Sequence, residues 1–252
     1  MITIAQIPIS TDVRENLKSV KKALEQIQEG MIVVFPEGAL TGYTPEKEEF
    51  ISNLDFEQLE QSHSYCEQIA KEKNMVVLIG SVEKDGEKFY NSTFIFSPEG
   101  RQTYRKVNLA FHDKKHFAAG SKLPIFTLHG IKVGILMCRE IMYPEQWRIL
   151  AINGAQVLIH LNNALGPDKY ELWRSYLISR AGENQRYVVS VNCASKERGC
   201  PTMAIDPQGK PIVEINSGKL VVKDIPIDLA EVKDYYLDQR RTDIVDIVGK
   251  KN

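Results

Sequence analysis

The predicted order of helices and strands is the feature of this sequence that most restricts its fold. Short apolar runs, typical of buried strands, alternate with amphipathic stretches that predict helices. The strands are expected at residues 2–7, 31–35, 75–81, 131–137, 156–161 and 187–192. The helices are expected near residues 12–27, 56–70, 144–151 and 170–185, with Asp12 as the cap that begins the first helix and Gly30 as the residue that ends it.

Antiparallel connections interrupt this alternation. Turn signals at residues 83–86 and 97–100 predict hairpins, and residues 108–124 are polar and irregular. The additional strands are expected at residues 89–96, 101–107, 203–206, 211–215 and 220–227. A plain doubly wound sheet does not contain such hairpins. The pattern therefore predicts an α/β fold in which two sheets pack face to face with helices on the outside.

Composition narrows the class of protein. The 252 residues are 43% hydrophobic and 26% charged, which is typical of a globular protein, and we expect a single domain. The net charge of −1 and the lack of a basic patch argue against nucleic acid and anionic membranes as partners. No apolar run approaches membrane-spanning length, and residues 1–10 do not resemble a signal peptide. The four cysteines form no Cys-x-x-Cys pair, so we expect a reduced, cytoplasmic protein.

Cys138 directly follows the apolar run at residues 131–137, and Pro144 soon after it suits the first position of a helix. The cysteine is therefore expected at a strand-to-helix turn on the carboxyl edge of a sheet, where α/β proteins place their sites. The thiol could act there as a nucleophile. It could equally be a small buried apolar side chain, which is the commonest fate of a free cysteine.

Glu37 and Lys106 also stand at predicted strand ends. A thiol with an ordinary pKa near ~8.5 needs a base or a nearby cation to react at neutral pH. Glu37 could take the thiol proton and later give it to a leaving amine. Lys106 could lower the thiol pKa and stabilise an oxyanion together with the N–H of Arg139. Spacing alone does not show that these side chains meet.

Three sequence segments resolve this question. They are VVFPEGALTGY at residues 33–43, YRKVNL at residues 104–109 and GILMCREIMYPEQWR at residues 134–148. In this order they resemble the signatures of the nitrilase, or carbon–nitrogen hydrolase, superfamily, and they contain Glu37, Lys106 and Cys138 respectively. Weaker resemblances to later segments of the family's sequences lie at residues 179–185, 187–192 and 203–209.

The resemblance implies a four-layer αββα sandwich of two mixed β-sheets flanked by helices. It also implies a catalytic triad of Glu37, Lys106 and Cys138, with no metal and no cofactor, and a supporting or substrate-binding role for Tyr43. Family members usually pair as dimers, so we expect a homodimer or a higher even homo-oligomer. The tail at about residues 229–252 could reach a partner subunit, with contacts from Tyr235, Tyr236 and Leu237.

The loop between Lys106 and Cys138 departs from the family pattern. The family often has a glutamate four positions before a Phe-x-x-Gly anchor, and here Asp113 occupies that position before the anchor at residues 117–120. Aspartate is one methylene shorter, which leaves its part in positioning Lys106 or the substrate open. His112 could line the pocket mouth. His112 and His116 could bind a metal if they shared a helix face, but without a third matching ligand we expect none.

The residues after the predicted strands at 131–137 and 156–161 are the remaining candidates. The family commonly has Cys-x-Asp at the nucleophile, whereas this chain has Arg139 and Glu140 after Cys138. Arg139 could bind a substrate carboxylate through two hydrogen bonds, or it could cap a loop or pair with Glu140. Asn162 and Asn163 lie where the family keeps substrate contacts, and both are expected to face the pocket.

These patterns leave three functions to compare. The leading hypothesis is a hydrolase of a small linear amide or N-carbamoyl (ureido) compound that forms an acyl-thioester on Cys138 and releases ammonia or an amine. The first alternative is a true nitrilase that converts a nitrile to a carboxylic acid. The second is a catalytically silent family member that acts as a binding protein, against which the three intact candidate residues argue.

Overall fold

A computed structural model describes residues 1–245 of the chain and, within them, twelve strands and five helices. The strands are β1 (Ile2–Gln6), β2 (Ile32–Val34), β3 (Val76–Asp85), β4 (Lys88–Ser97), β5 (Gly100–Arg105), β6 (Ile125–Leu128), β7 (Ile131–Met137), β8 (Val157–Leu161), β9 (Tyr187–Val191), β10 (Thr202–Ile205), β11 (Pro211–Ile215) and β12 (Val221–Ile225). The helices are α1 (Val13–Leu24), α2 (Phe56–Glu72), α3 (Pro144–Ile152), α4 (Tyr170–Asn184) and α5 (Tyr235–Asp238). None of these helices is long and apolar enough to cross a membrane.

The strands form two mixed six-stranded sheets. The first sheet has the order β12-β1-β2-β3-β4-β5, and the second has the order β11-β10-β9-β8-β7-β6. Strands β1, β2 and β3 run parallel in the first sheet, as do β7, β8 and β9 in the second. Hairpins extend each sheet from this parallel centre. The centre follows from the alternating part of the sequence, because parallel strands need crossover connections, usually helical.

Side chains of the central strands alternate between two cores, because successive residues of a strand point to opposite faces. In β2, Ile32 and Val34 enter the core between the sheets, whereas Val33 packs on the outer side with residues of α1 and α2. In β7, Val133 enters the same central core, and Leu136 packs with residues of α3 and α4. Three cores separate four layers in the order helix, sheet, sheet, helix. The predicted αββα sandwich is therefore confirmed.

The element boundaries differ from the sequence predictions in several places. Strand β3 continues to Asp85, so the turn predicted at residues 83–86 lies at residues 86–87. Asp12 caps α1 as predicted, by accepting a hydrogen bond of 2.8 Å from the N–H of Arg14. The helix ends at Leu24, however, and Gly30 lies beyond it in the turn before β2, with a φ of +75°. The prediction that Gly30 ends α1 is therefore wrong. Strand β6 is not predicted by the sequence, because its four residues carry little alternation.

The first part of the C-terminal tail packs on its own chain. The N–H of Asp228 donates to the Tyr187 hydroxyl at 3.2 Å, and the N–H of Tyr236 donates to the Gln185 side chain at 2.9 Å. Tyr235 and Tyr236 keep more than half of their surface exposed. Residues 246–252 lie outside the described residues, and the contact of the tail with a partner subunit stays a prediction.

Candidate active site

Three strand ends carry the predicted catalytic residues. Glu37 comes shortly after β2, Lys106 directly after β5 and Cys138 directly after β7. The N–H of Glu37 donates to the carbonyl of Asn162 at 3.2 Å, and the N–H of Lys106 donates to the carbonyl of Asn91 at 2.9 Å. The first of these bonds joins the two sheets, because Asn162 follows β8. Backbone hydrogen bonds thus fix the loops before any side chain is considered.

The Lys106 ammonium lies between two buried carboxylates. Its Nζ is 2.9 Å from Glu37 Oε1 and 2.8 Å from Asp113 Oδ2, with all three side chains fully buried. The Cys138 thiol lies close enough to the Glu37 carboxylate for Glu37 to raise the pKa of the thiol. Burial by itself lowers the pKa of Lys106, but the charge of Glu37 and of its other neighbours outweighs burial and holds that pKa well above its ordinary value. The structure therefore brings Glu37, Lys106 and Cys138 together around a charged lysine.

Donors hold the Glu37 carboxylate on both oxygens. Besides Lys106, the side-chain amide of Asn91 donates to Oε1 at 2.8 Å, and the backbone N–H of Asn163 donates to Oε2 at 3.2 Å. The side-chain amide of Asn163 also donates to the carbonyl of Glu37 at 3.3 Å. Asn91 is absent from the sequence predictions. Its signal is a run of three polar residues at positions 91–93 between apolar residues of β4, which by itself does not reveal a partner.

The geometry answers the question raised by the shorter side chain of Asp113. Its Oδ2 accepts from Lys106 Nζ and, at 3.0 Å, from the N–H of Ala110. Its Oδ1 accepts a hydrogen bond of 2.5 Å from the hydroxyl of Tyr43. Asp113 therefore reaches Lys106 in spite of the missing methylene. Tyr43, which the first signature singles out, orients Asp113 from the other side.

Cys138 has a strained backbone and a thiol that is hard to ionise. Its φ is +43°, a conformation that residues other than glycine rarely adopt. Burial, and after it the charge of Glu37, raises the pKa of the Cys138 thiol well above its ordinary value. Lys106 acts in the predicted direction by lowering this pKa, but burial and Glu37 outweigh it. At neutral pH the raised pKa favours the protonated thiol of Cys138, which lies near the Glu37 carboxylate.

This assignment predicts how Cys138 titrates. A raised pKa means that the thiolate fraction at neutral pH is smaller than that of an ordinary cysteine, whose pKa is ~8.5. We expect the ultraviolet thiolate absorbance, measured as the difference between the parent and Cys138→Ala, to be absent at neutral pH and to appear only in more alkaline solution. A thiolate signal from Cys138 at neutral pH would contradict the assignment.

Glu140 ties the nucleophile strand to the lysine strand. Its Oε1 accepts from the backbone N–H groups of Val107 at 2.9 Å and Asn108 at 3.0 Å, and its Oε2 accepts from the N–H of Met137 at 2.8 Å. The hydroxyl of Tyr104 contacts both oxygens, at 2.9 and 2.7 Å. One buried carboxylate thereby fixes the residues beside Lys106 and beside Cys138. The sequence suggested Glu140 only as an ion-pair partner of Arg139.

Arg139 and His112 occupy less enclosed positions. Arg139 is half-buried, and the alternative in which it pairs with Glu140 is wrong, because Glu140 uses both oxygens for other donors. His112 is exposed, with its ring at the edge of Phe111. The helical segment after it spans only Asp113–Lys115, so His112 and His116 do not share an α-helical face. In the described part of the chain, no three His, Cys, Asp or Glu side chains form a group suited to a metal ion.

The two asparagines after β8 lie differently. Asn163 is half-buried beside Glu37, as described above. Asn162 is fully buried, and its side-chain Nδ2 donates to His160 Nδ1 and to Ser190 Oγ, both at 3.0 Å. This directs the Asn162 amide into the second sheet. We therefore place Asn162 behind the site as a support, and not among the groups that face a substrate as predicted.

Gly80 in β3 offers a test of how tightly Glu37 must be placed. A Cβ added at Gly80 would lie 2.5 Å from the Cα of Glu37 and 2.4 Å from the backbone N of Gly38. Gly80→Ala must therefore displace the Glu37 turn, and we expect kcat/KM to fall on the order of 10²-fold. Gly86→Ala is the control, because a Cβ there meets nothing within 4 Å, even though its φ of +59° adds a backbone strain that Gly80 does not have. Equal kcat/KM values of the two variants would contradict the claim that catalysis depends on the exact position of Glu37.

Known proteins show what this chain resembles. Residues 1–236 match the family model described as carbon-nitrogen hydrolase. The chain is 28% identical over 256 residues to a nitrilase of Pyrococcus abyssi, with 98% of this chain and 96% of that protein covered. It is 31% identical over 227 residues to an (R)-stereoselective amidase of a Pseudomonas species, with coverages of 83% and 79%. A solved amidase of a Nesterenkonia species shares the fold, with a TM-score of 0.80 at 23% identity and coverages of 96% and 94%.

Proposed function

Because the chain belongs to the carbon–nitrogen hydrolase family, we propose that it hydrolyses the C–N bond of a small linear amide or N-carbamoyl compound through a thioester on Cys138. The observation that carries this proposal is the buried Glu37 carboxylate, which accepts a hydrogen bond of 2.9 Å from Lys106 and lies close enough to the Cys138 thiol to raise its pKa. A base next to a nucleophile, with a cation beside both, is the arrangement that acyl transfer requires.

In the first half of the proposed reaction, Glu37 takes the thiol proton as Cys138 Sγ attacks the substrate carbonyl carbon. The raised thiol pKa makes this transfer part of the attack, since little thiolate exists beforehand. The oxyanion that forms is stabilised by the Lys106 ammonium and the N–H of Arg139. Glu37 then gives its proton to the leaving nitrogen, the C–N bond breaks, and ammonia or an amine departs from the thioester.

In the second half, Glu37 takes a proton from a water molecule that attacks the thioester carbonyl carbon. The same two donors stabilise the second oxyanion. When the C–S bond breaks, the proton on Glu37 returns to Cys138 Sγ and the acid leaves. Asn91, Asn163 and Lys106 hold the carboxylate in one orientation through both halves, so that one base serves two nucleophiles.

A substrate panel tests the proposal. The purified protein is incubated with linear carboxamides, N-carbamoyl amines and the matching nitriles, and released ammonia is measured with Cys138→Ala as the blank. We expect turnover of amides or carbamoyl compounds. Turnover of nitriles without turnover of amides would establish the nitrilase alternative. If no member of the panel is turned over, the silent binding-protein alternative is favoured.

Arg139 supports a narrower proposal, that the substrate carries a carboxylate. The residue follows the nucleophile directly, is half-buried, and is not paired with Glu140. We expect Arg139→Met to raise the KM for succinamic acid by about tenfold to a hundredfold, the range that a charge-assisted hydrogen bond gives, and to leave butyramide unchanged. Equal losses for both compounds would assign Arg139 a structural role and overturn this narrower proposal.

A further inference from the structure

His160 in β8 contacts the backbone of the nucleophile from behind. Its side chain is fully buried under α3, with its ring 5.4 Å from the ring of Trp147. Its Nε2 is 3.0 Å from the carbonyl oxygen of Cys138, and its Nδ1 is 3.0 Å from Nδ2 of Asn162. The Asn162 amide is held in turn by Ser190 Oγ at 3.0 Å. No sequence motif singles out this histidine.

The partners of His160 determine which ring nitrogen carries the proton. The Cys138 carbonyl can only accept, so Nε2 must donate to it. Burial lowers the pKa of His160 to about 3, so the ring is neutral and has one proton. Nδ1 is then an acceptor, which requires Asn162 to present its NH2 group. Ser190 and Asn162 therefore select the tautomer that can hold the Cys138 carbonyl.

This hydrogen bond also determines where the next N–H points. In a planar trans peptide the C=O and the N–H point in opposite directions, so fixing the Cys138 carbonyl fixes the direction of the Arg139 N–H. We propose that His160, oriented by Asn162, is a positioning residue that aims the Arg139 N–H at the substrate oxyanion. This inference rests on the proposed acyl-transfer function, in which that N–H is an oxyanion donor.

Asn162 also contacts the loop that carries the proposed base, Glu37. Its backbone carbonyl accepts from the N–H of Glu37 at 3.2 Å, while its side chain orients His160. One buried residue thus connects the strand end that carries the base with the strand end that carries the nucleophile. His160 is accordingly expected to affect the chemical step and not substrate binding.

Two variants of His160 distinguish the effect of its hydrogen bond to the Cys138 carbonyl from the effect of its packing. Gln can place an amide N–H near the position of imidazole Nε2, whereas Leu fills the space without a donor. With the best amide of the panel, we expect His160→Leu to lower kcat by about tenfold to a hundredfold, somewhat less than the loss of an oxyanion donor, with KM unchanged. His160→Gln should recover most of that loss. The aldehyde that corresponds to the amide should bind His160→Leu more weakly by the same factor as kcat falls.

Matched variants of His63 provide the control for a buried histidine. His63 is also almost fully buried, and its Nε2 is 3.0 Å from Ser81 Oγ in the first sheet. His63→Leu should lower the melting temperature as His160→Leu does, but leave kcat unchanged. Equal kcat losses in the two Leu variants, or no rescue by His160→Gln, would overturn the positioning role.

The tautomer is a test that needs no substrate. In ¹⁵N spectra of histidine-labelled protein, His160 should show a protonated Nε2 and an unprotonated Nδ1 at neutral pH. A proton on Nδ1 would overturn the inference even in an active enzyme. If the parent turns over neither amides nor N-carbamoyl compounds, the proposed function fails. The tautomer of His160 and the alkylation rate of Cys138 in His160→Leu then still decide whether the histidine positions the cysteine: a protonated Nε2 and a changed rate support it, and an unchanged rate contradicts it.

Discussion

Cys138→Ala should abolish amide turnover and leave the fold intact. The variant removes the sulfur that lies beside Glu37 at the end of β7, while the methyl group keeps the part of the side chain that lies in the turn. Alanine and cysteine share the same backbone restriction at a φ of +43°, so the strain is not changed. The activity left should be limited to what oxyanion stabilisation and substrate binding give without a nucleophile.

Two other buried cysteines control for the loss of a thiol as such. Cys66 is fully buried in the outer core of the first sheet, and burial raises the pKa of its thiol to about 12. Cys193 is also buried. Cys66→Ala and Cys193→Ala should retain near-parental kcat, and only Cys138→Ala should lose the single adduct that an alkylating agent adds in intact-protein mass spectrometry. Substantial turnover by Cys138→Ala would disprove the thioester mechanism.

The sequence allowed the strand ends to be predicted because apolar runs and polar residues mark them directly. Glu37, Lys106 and Cys138 each stand beside such a run, and the resemblance to a known family supplied the expectation that they meet. Their meeting is a tertiary property, since Glu37 and Lys106 are separated by 69 positions. Asp113 could be predicted as a candidate, but its contact with Lys106 required knowledge of how the loop folds back.

The residues that support the site gave no such signal. Asn91, Glu140 and His160 act through hydrogen bonds to partners 54, 33 and 22 positions away, and each partner is fixed by sheet packing. A buried polar residue must find a partner, yet its identity depends on the register of two sheets. Glu140 illustrates the error, because its neighbour Arg139 was the nearest opposite charge in sequence but not its partner in the structure.

Glu37→Gln should lower kcat by about 10²–10⁴-fold, the range that general acid–base catalysis contributes. Every oxygen of Glu37 accepts from a donor, namely Lys106 and Asn91 on Oε1 and the Asn163 N–H on Oε2. Glutamine replaces one acceptor with an NH2 group that faces a donor. We therefore also expect a loss of stability of about 1–3 kcal/mol, the cost of an unsatisfied buried group.

Following acylation and deacylation separately distinguishes the loss of the base in Glu37→Gln from the loss of stability. If Cys138 is still acylated slowly in Glu37→Gln, water has no base and the thioester should accumulate, visible as an added acyl mass in single-turnover experiments. Glu214→Gln is the control, because Glu214 is a carboxylate bound by Arg174 and Tyr170 far along the second sheet. Near-normal deacylation in Glu37→Gln would contradict the dual role of Glu37. Asp113 would then be the first alternative base, although Lys106, Ala110 and Tyr43 already occupy its oxygens.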